Sequence, residues 1–251
     1  MVASHALHMS GLAESVKAST HPDLDAAVGK LKDNAQKFAR LPAREKAGLL
    51  RQCMPRLAGR AEAWVREGCK AKGLARNYSN EEWLAGPWVT LRVMRLLADS
   101  LDAIAVGGKP TLGTGSRVRT DGRLEIDLFP SSFIDKVTFM GFTGHVLMQE
   151  GIDRVKARDM QASFYDQKAP DGGVALILGA GNVSGIPPTD VMSKMFVEGE
   201  VCLLKMNPVN EWVGPILEQV FAPMIDRGYL RVVYGGGDVG KYLCEHSDID
   251  S

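Results

Sequence analysis

The chain lacks an excess of charge: 30 Lys and Arg stand against 30 Asp and Glu in 251 residues. With no net field to attract a polyanion, nucleic acid and anionic membrane surfaces are disfavoured as partners. Long apolar runs are missing too. The longest resemble Val174-Ala175-Leu176-Ile177-Leu178, far short of the ~20 residues that cross a bilayer. Residues 1–20 carry His5, His8 and Glu14 but no continuous apolar core, which argues against a secretory leader. Cysteine is sparse: Cys53, Cys69, Cys202 and Cys244 are scattered without C-x-x-C spacing, so no disulfide framework is expected. His5 and His8 sit in what reads as a frayed terminus, without a cysteine or carboxylate cluster to complete a metal site. The expectation is a soluble, cytoplasmic protein with reduced thiols and no metal. No internal repeat or low-complexity segment is visible.

With 45% apolar and 24% charged residues, the chain can bury a core. Leu24, Ala27, Val28, Leu31, Ala35, Phe38 and Ala39 recur at helical spacing, and Leu41-Pro42 breaks the run. Pro42 suits the start of a second helix, whose stripe is Leu49, Leu50, Cys53, Met54, Leu57, Ala61, Trp64 and Val65. A third helix is expected from Glu81 to about Ile104, ended by Gly107-Gly108-Lys109-Pro110. Leu124, Ile126 and Leu128 then alternate with Glu125 and Asp127, the period of a strand with one wet face, and Val137 with Phe139 suggests another.

From residue 171 short continuous apolar runs alternate with helical stretches. Val174 to Leu178, Val201 to Leu204 and Leu230 to Tyr234 read as buried parallel strands. Pro187 to Glu198, closed by Gly199, and Glu211 to Arg227 fill the gaps. The pattern is β-α-β-α-β, for which a doubly wound sheet with right-handed crossovers is expected. The sheet stops after its third strand, so an unpaired edge is expected as well.

Three features of this region can carry chemistry. Gly235-Gly236-Gly237-Asp238-Val239-Gly240 satisfies G-x-G-x-x-G after a strand and opens a helix. Such a turn can admit a pyrophosphate, or can be an ordinary glycine-rich turn; Asp238 would repel a phosphate, and no acidic residue follows at the usual ~20-residue distance. Asn182, in the turn Gly179-Ala180-Gly181-Asn182 after the first buried strand, can offer amide donors to an oxyanion, a contribution of about 3 kcal/mol, or can serve only as a residue that tolerates a left-handed turn. Lys205 ends the second buried strand, at the edge where open α/β sheets bind ligands, and can hydrogen-bond sugar hydroxyls or phosphate.

These residues resemble the aldehyde dehydrogenase superfamily from about Asp25 to Ser251. Leu41-Pro42-Ala43-Arg44-Glu45-Lys46-Ala47-Gly48-Leu49-Leu50-Arg51, with Arg60-Ala61-Glu62, looks like the family's first helical pair. The stretch from Asn182 through Gly199-Glu200-Val201-Cys202-Leu203-Leu204-Lys205, 23 positions from Asn182 to Lys205, resembles the segment joining the family's oxyanion asparagine to its cofactor-ribose lysine. Val232-Val233-Tyr234-Gly235 with His246-Ser247-Asp248-Ile249-Asp250 looks like the approach to its next strand. Three positions depart from the pattern. Gly181 stands where an aromatic residue is usual, Met206 where a proline is, and Pro208 where an acidic ribose ligand is expected, so the resemblance implies NAD or NADP equally.

The resemblance implies an α/β, aldehyde-dehydrogenase-like fold: a helical amino-terminal layer, a β arm, and the first half of a parallel dinucleotide-binding sheet. The expected divisions are a frayed terminus at 1–20, the helical layer at 21–110, the β-rich arm and oligomerisation element at 111–170, and the incomplete NAD(P)-binding part at 171–251. Asn182 is implied as the catalytic oxyanion donor; Lys205, Gly181, Gly235, Gly237 and Gly240 as cofactor contacts. In the family a cysteine thiolate attacks the aldehyde, hydride leaves for nicotinamide, and a glutamate activates water against the thioester. Here nucleophile and general base are expected beyond Ser251, which makes the chain an amino-terminal half, inactive alone, of a homo-oligomeric enzyme acting on a small aldehyde or acyl substrate. The alternatives are an acyl-CoA reductase of the same superfamily and a non-catalytic nucleotide-binding or oligomer scaffold.

Overall fold

The computed structural model describes residues 16–75 and 78–251; His5 and His8 lie outside the described residues. The chain divides into two compact units, one formed by residues up to Ala98 together with Ala169–Ser251, the other by Asp99–Lys168.

In the first unit, helix α1 (His21–Ala39) opens on a capping box in which Thr20 and Asp23 each accept the other's backbone amide, satisfying two donors that the helix itself cannot. The terminus expected to be frayed through residue 20 is held at its end: Ser19 donates its amide to the Tyr234 carbonyl at 3.0 Å and accepts the Tyr234 amide on its hydroxyl at 3.1 Å. Helix α2 (Ala43–Ala71) follows Pro42, and Leu50, Cys53, Leu57 and Trp64 are buried along its stripe. The expected third helix is one run in three parts: α3 (Asn80–Trp83), a π-helical turn (Leu84–Trp88) and α4 (Val89–Ala105). Pro87 lies in the wide turn, where its missing N–H is tolerated.

The second unit holds an antiparallel sheet of β1 (Gly115–Val118), β2 (Leu124–Phe129) and β3 (Gly144–Leu147), with Ser116 opposite Ile126 and Ile126 opposite Val146. The strand suggested by Val137 and Phe139 does not form. The Ser132 hydroxyl instead accepts the Asp135 amide at 3.1 Å and starts helix α5 (Phe133–Thr138). A good cap outweighs two alternating apolar residues. Helix α6 (Arg154–Asp159) completes the unit's regular structure beside a 3-10 turn at Ser163–Asp166.

Back in the first unit, a parallel sheet in the order β4 (Val174–Leu178), β5 (Val201–Lys205), β6 (Leu230–Val233) realises the expected β-α-β-α-β pattern. Between β4 and β5, α7 (Ile186–Ser193) continues in a π turn to Glu198 and stops at Gly199, whose φ of +79° suits glycine. The helix expected over Glu211–Arg227 is instead a 3-10 turn (Pro208–Val213), α8 (Gly214–Val220) and α9 (Ala222–Ile225). Pro215 and Pro223 each sit in a first turn, where a proline starts a helix rather than continuing one. Helix α10 (Gly237–Cys244) follows β6.

All five β5 side chains are buried, as a central parallel strand requires. α1 packs over β5, and its Phe38 meets Tyr229 at 5.0 Å and Phe196 at 6.1 Å between ring centroids. The outer edge of β4 is partly engaged by the chain's last residues: Leu176 donates to the Ser251 carbonyl at 2.8 Å and Asp250 to the Val174 carbonyl at 2.9 Å. No described helix is long and apolar enough to cross a membrane.

Candidate functional site

Parallel pairing sets Leu178 opposite Lys205 and Lys205 opposite Val233. The chain leaving each of these three residues therefore emerges at one rim of the sheet, the carboxyl edge where open α/β sheets bind ligands. Three loops meet there: the turn to Gly185 carrying Gly181 and Asn182, the segment from Met206 into the Pro208–Val213 turn, and Tyr234–Gly236 leading into α10. Gly181, Asn182, Lys205, Gly235 and Gly237 are thus brought to the same edge. Gly240 lies a turn deeper in α10, its amide bonded to the Gly236 carbonyl at 3.2 Å.

Lys205 is only 6% exposed, yet no carboxylate among the described residues stands within ion-pair distance of its ammonium. Burial draws its pKa below the usual lysine value, while the carboxylates of Glu211 and Asp238 pull the other way. A poorly hydrated cation without a bonded counterion is suited to receive hydroxyl or phosphate oxygens. Glu211 is fixed beside it by accepting the Gly235 amide at 3.2 Å. Gly235 has φ +139°, and a Cβ there would lie 2.5 Å from the Val239 side chain, so this position requires glycine.

The loop carrying Asn182 is pinned on both sides. Before it, the buried Asn210 donates its side-chain amide to the Ala180 carbonyl at 3.0 Å, and the Asn207 side chain packs against Gly181. After it, the indole of Trp64 donates to the buried Ser184 hydroxyl at 2.9 Å. Gly185 then passes so close to the π-helical turn that a Cβ would sit 2.2 Å from the Ala85 carbonyl oxygen. Between these anchors Asn182 is exposed, and its carboxamide makes no hydrogen bond to a described residue. Its backbone is not left-handed either: among described non-glycine residues only Ala162 has positive φ. Tolerance of a left-handed turn therefore does not account for this asparagine.

No family model and no curated protein matches the chain, but solved structures do. A variant of aldehyde dehydrogenase C from Pseudomonas syringae, in complex with NAD+ and octanal, matches 94% of this chain with a TM-score of 0.57 at 14% identity. An NAD-dependent benzaldehyde dehydrogenase from Corynebacterium glutamicum matches 93% (TM-score 0.54, 13% identity). Aldehyde dehydrogenase 21 from Physcomitrella patens, in complex with the reaction product succinate, matches 93% (0.54, 10%). The chain has the aldehyde dehydrogenase fold. It spans 38–40% of the length of these three structures, and it corresponds to their amino-terminal region.

Within this aldehyde dehydrogenase fold, none of the four thiols lies in a rim loop. Cys53 and Cys202 are buried in α2 and β5; burial pushes the Cys53 thiol up to about 12 and raises that of Cys202 as well. Cys69 is buried near the end of α2, and Cys244 closes α10 on its exposed side. A raised thiol pKa withholds the thiolate that nucleophilic attack needs.

The second unit carries a cluster of its own, in which ligand atoms of Glu125, Asp127 and His145 all lie within 4.8 Å of one another. Arg117 pairs with Glu125 and stands 4.0 Å from Asp127, Arg119 is 3.7 Å from Glu125, and His145 meets Asp127 at 2.7 Å. With two guanidinium groups already on these carboxylates, the cluster is an ion-pair network across β1, β2 and β3.

Glu211, Asn207 and Asn210 escaped the sequence reading. Asn207-Pro208 marks a turn start, which signals that the chain doubles back after β5. Nothing local, however, announces a bond from Glu211 to a glycine 24 residues on.

Proposed function

We propose that the chain is the cofactor-binding portion of an NAD(P)-dependent aldehyde dehydrogenase that oxidises an aldehyde through a cysteine thiohemiacetal and thioester. Lys205 binds the nucleotide's sugar or phosphate oxygens, with Gly181, Gly235, Gly237 and Gly240 giving the backbone close approach. Asn182 presents its amide to the oxygen of the reacting carbonyl as negative charge develops on it. The observation that carries this reading is a pair of side chains, Lys205 and Asn182, that reach one sheet edge without an ion-pair or hydrogen-bond partner among the described residues. The NAD bound by the Pseudomonas syringae neighbour supports it.

An oxyanion donor acts only once a nucleophile has created the oxyanion, and the four thiols here are buried or outside the rim loops. We therefore propose that these 251 residues do not oxidise aldehydes alone. Association of copies through the arm belongs to the same reading, supported by the exposed Phe133, Ile134, Val137, Met140 and Phe142.

Titration of the chain with NADH, followed by the coenzyme's fluorescence, tests the reading. Lys205→Ala should weaken binding on the order of tenfold, about 1.4 kcal/mol, whereas Asn182→Ala should leave it nearly unchanged. Equal affinity of the Lys205 variant and the wild type would overturn the cofactor assignment. Aldehyde-dependent reduction of NAD+ by the chain itself would overturn the assignment of a missing nucleophile.

A further inference from the structure

The ladder that carries β6 ends at Val233: its carbonyl accepts the Met206 amide at 2.9 Å, and the pairing with β5 goes no further. Tyr234, the next residue, therefore enters the rim with both of its backbone groups unclaimed by a strand, and such groups need partners once they leave water. Ser19 supplies both. Its amide donates to the Tyr234 carbonyl at 3.0 Å, and its hydroxyl accepts the Tyr234 amide at 3.1 Å. The Tyr234 ring is held on another side by the start of α8, where a Cβ on Gly214 would come within 2.5 Å of it. Beyond the glycine turn, α1 takes hold of α10. The Tyr242 hydroxyl donates to Asp25 at 2.6 Å, and the Tyr242 ring stacks on His21 with 4.0 Å between centroids and 8° between the planes. His246 brings its Nε2 to 3.5 Å from the same Asp25 carboxylate. The segment Ser19–Asp25 thus grips the turn at both ends, at Tyr234 before it and at Tyr242 after it, although 215 positions separate Ser19 from Tyr234.

We infer that Ser19 and Tyr242 are positioning residues for nucleotide binding, and that the segment Ser19–Asp25 presets Gly235–Gly237 in the conformation that admits the nucleotide. The inference rests on the nucleotide-binding reading above and adds to it a segment from the other end of the chain. Neither side chain needs to touch the nucleotide. Three successive glycines carry no side chains to fix them, and glycine loses more conformational freedom on ordering than any other residue. Without anchors, binding itself would have to order the turn. Anchors made within the protein do so beforehand, which is how preorganisation raises affinity. Thr20 sits beside Ser19 in sequence but acts elsewhere: its side chain caps α1 by accepting the Asp23 amide. These two neighbours separate the ordering of the rim from the stability of the helix.

The test titrates variants of the full 251-residue chain with NADH, read by coenzyme fluorescence, beside urea unfolding of each variant and hydrogen exchange without coenzyme. Ser19→Ala should weaken NADH binding about threefold or more and speed exchange of the Tyr234 amide about tenfold. Ser19→Thr keeps the hydroxyl acceptor and should restore both. Tyr242→Phe removes the bond to Asp25 while keeping the ring on His21; it should weaken NADH binding about twofold and serves where Ser19→Ala folds poorly. Thr20→Ala should lower stability yet leave NADH affinity unchanged. Wild-type affinity in folded Ser19→Ala and Tyr242→Phe would overturn the inference and leave the nucleotide-binding reading standing. So would a loss of affinity in Thr20→Ala equal to that in Ser19→Ala, which would reduce Ser19 to a stability contact. Failure of the wild-type chain to bind NADH would overturn both.

Discussion

The two units handle their apolar residues in opposite ways. In the first, α1, α2 and the parallel sheet sequester Leu24, Val28, Leu31, Phe38, Leu50, Trp64 and all of β5. In the second, the buried cluster is Leu124, Ile126 and Ala157, with Leu112, Met148 and Ile152 packed against it. Around that small core Phe133 and Met140 are each 80% exposed, and Phe142 is 70% exposed. The second unit leans on polar links instead, such as Lys109 to Asp166 at 2.6 Å and the arginine-carboxylate-histidine network over its sheet. The sheet unit spends its apolar surface on its own core, whereas the arm keeps much of its own in water. That exposed apolar surface is what the proposed association of copies would cover.

The contrast can be broken or sharpened by experiment. Phe38→Ala removes a ring wedged between Tyr229 and Phe196 and should cost about 3–5 kcal/mol of stability in urea unfolding; a loss under 1 kcal/mol would mean the first unit is less well packed than its burial suggests. Lys46 is a charged residue inside that unit, fully buried 4.7 Å over the Phe38 ring, with burial lowering its pKa to about 8 from 10.5. Between those two values the unfolded chain holds more protons than the folded one, so stability should rise with pH from 8 towards 10.5. The expected gain is on the order of 2 kcal/mol. Below pH 8 both states carry the proton and the cost is constant. Lys46→Met should flatten the rise, and an equal rise in variant and wild type would exclude Lys46 as its source. Phe133→Ser with Met140→Ser should have the smallest effect on stability, within about 0.5 kcal/mol per site, while reducing self-association in sedimentation. A marked drop in melting temperature without a change in association would place these residues in the arm's own core.

Where the sequence was readable, a single local rule was at work. Continuous apolar runs announced β4, β5 and β6, Gly199 closed its helix, and the strand end at Lys205 fell where the run from Val201 stops. The place of the candidate site was readable on the same grounds, because a strand's carboxyl end is a position along the chain. What stayed hidden depends on residues far apart in sequence or on competition between rules. The indole of Trp64 meets Ser184 across 120 positions, and Glu211 reaches Gly235 across 24. Val137 and Phe139 had a strand's alternation, but Ser132 and Asp135 offered the backbone a helix first.

The first helix is tied to the last. Ser19 pairs with Tyr234, the Tyr242 hydroxyl donates to Asp25 at 2.6 Å, and Phe38 waits for Tyr229. Roughly 190 residues separate Phe38 from Tyr229 in the chain, and at a synthesis rate of about 5–20 residues per second the second ring leaves the ribosome some ten to forty seconds after the first. During that interval α1 has no sheet to lie on. Its apolar stripe has no native partner in the sheet until β5 and β6 have been made, so the order of translation sets the earliest moment at which these contacts can form.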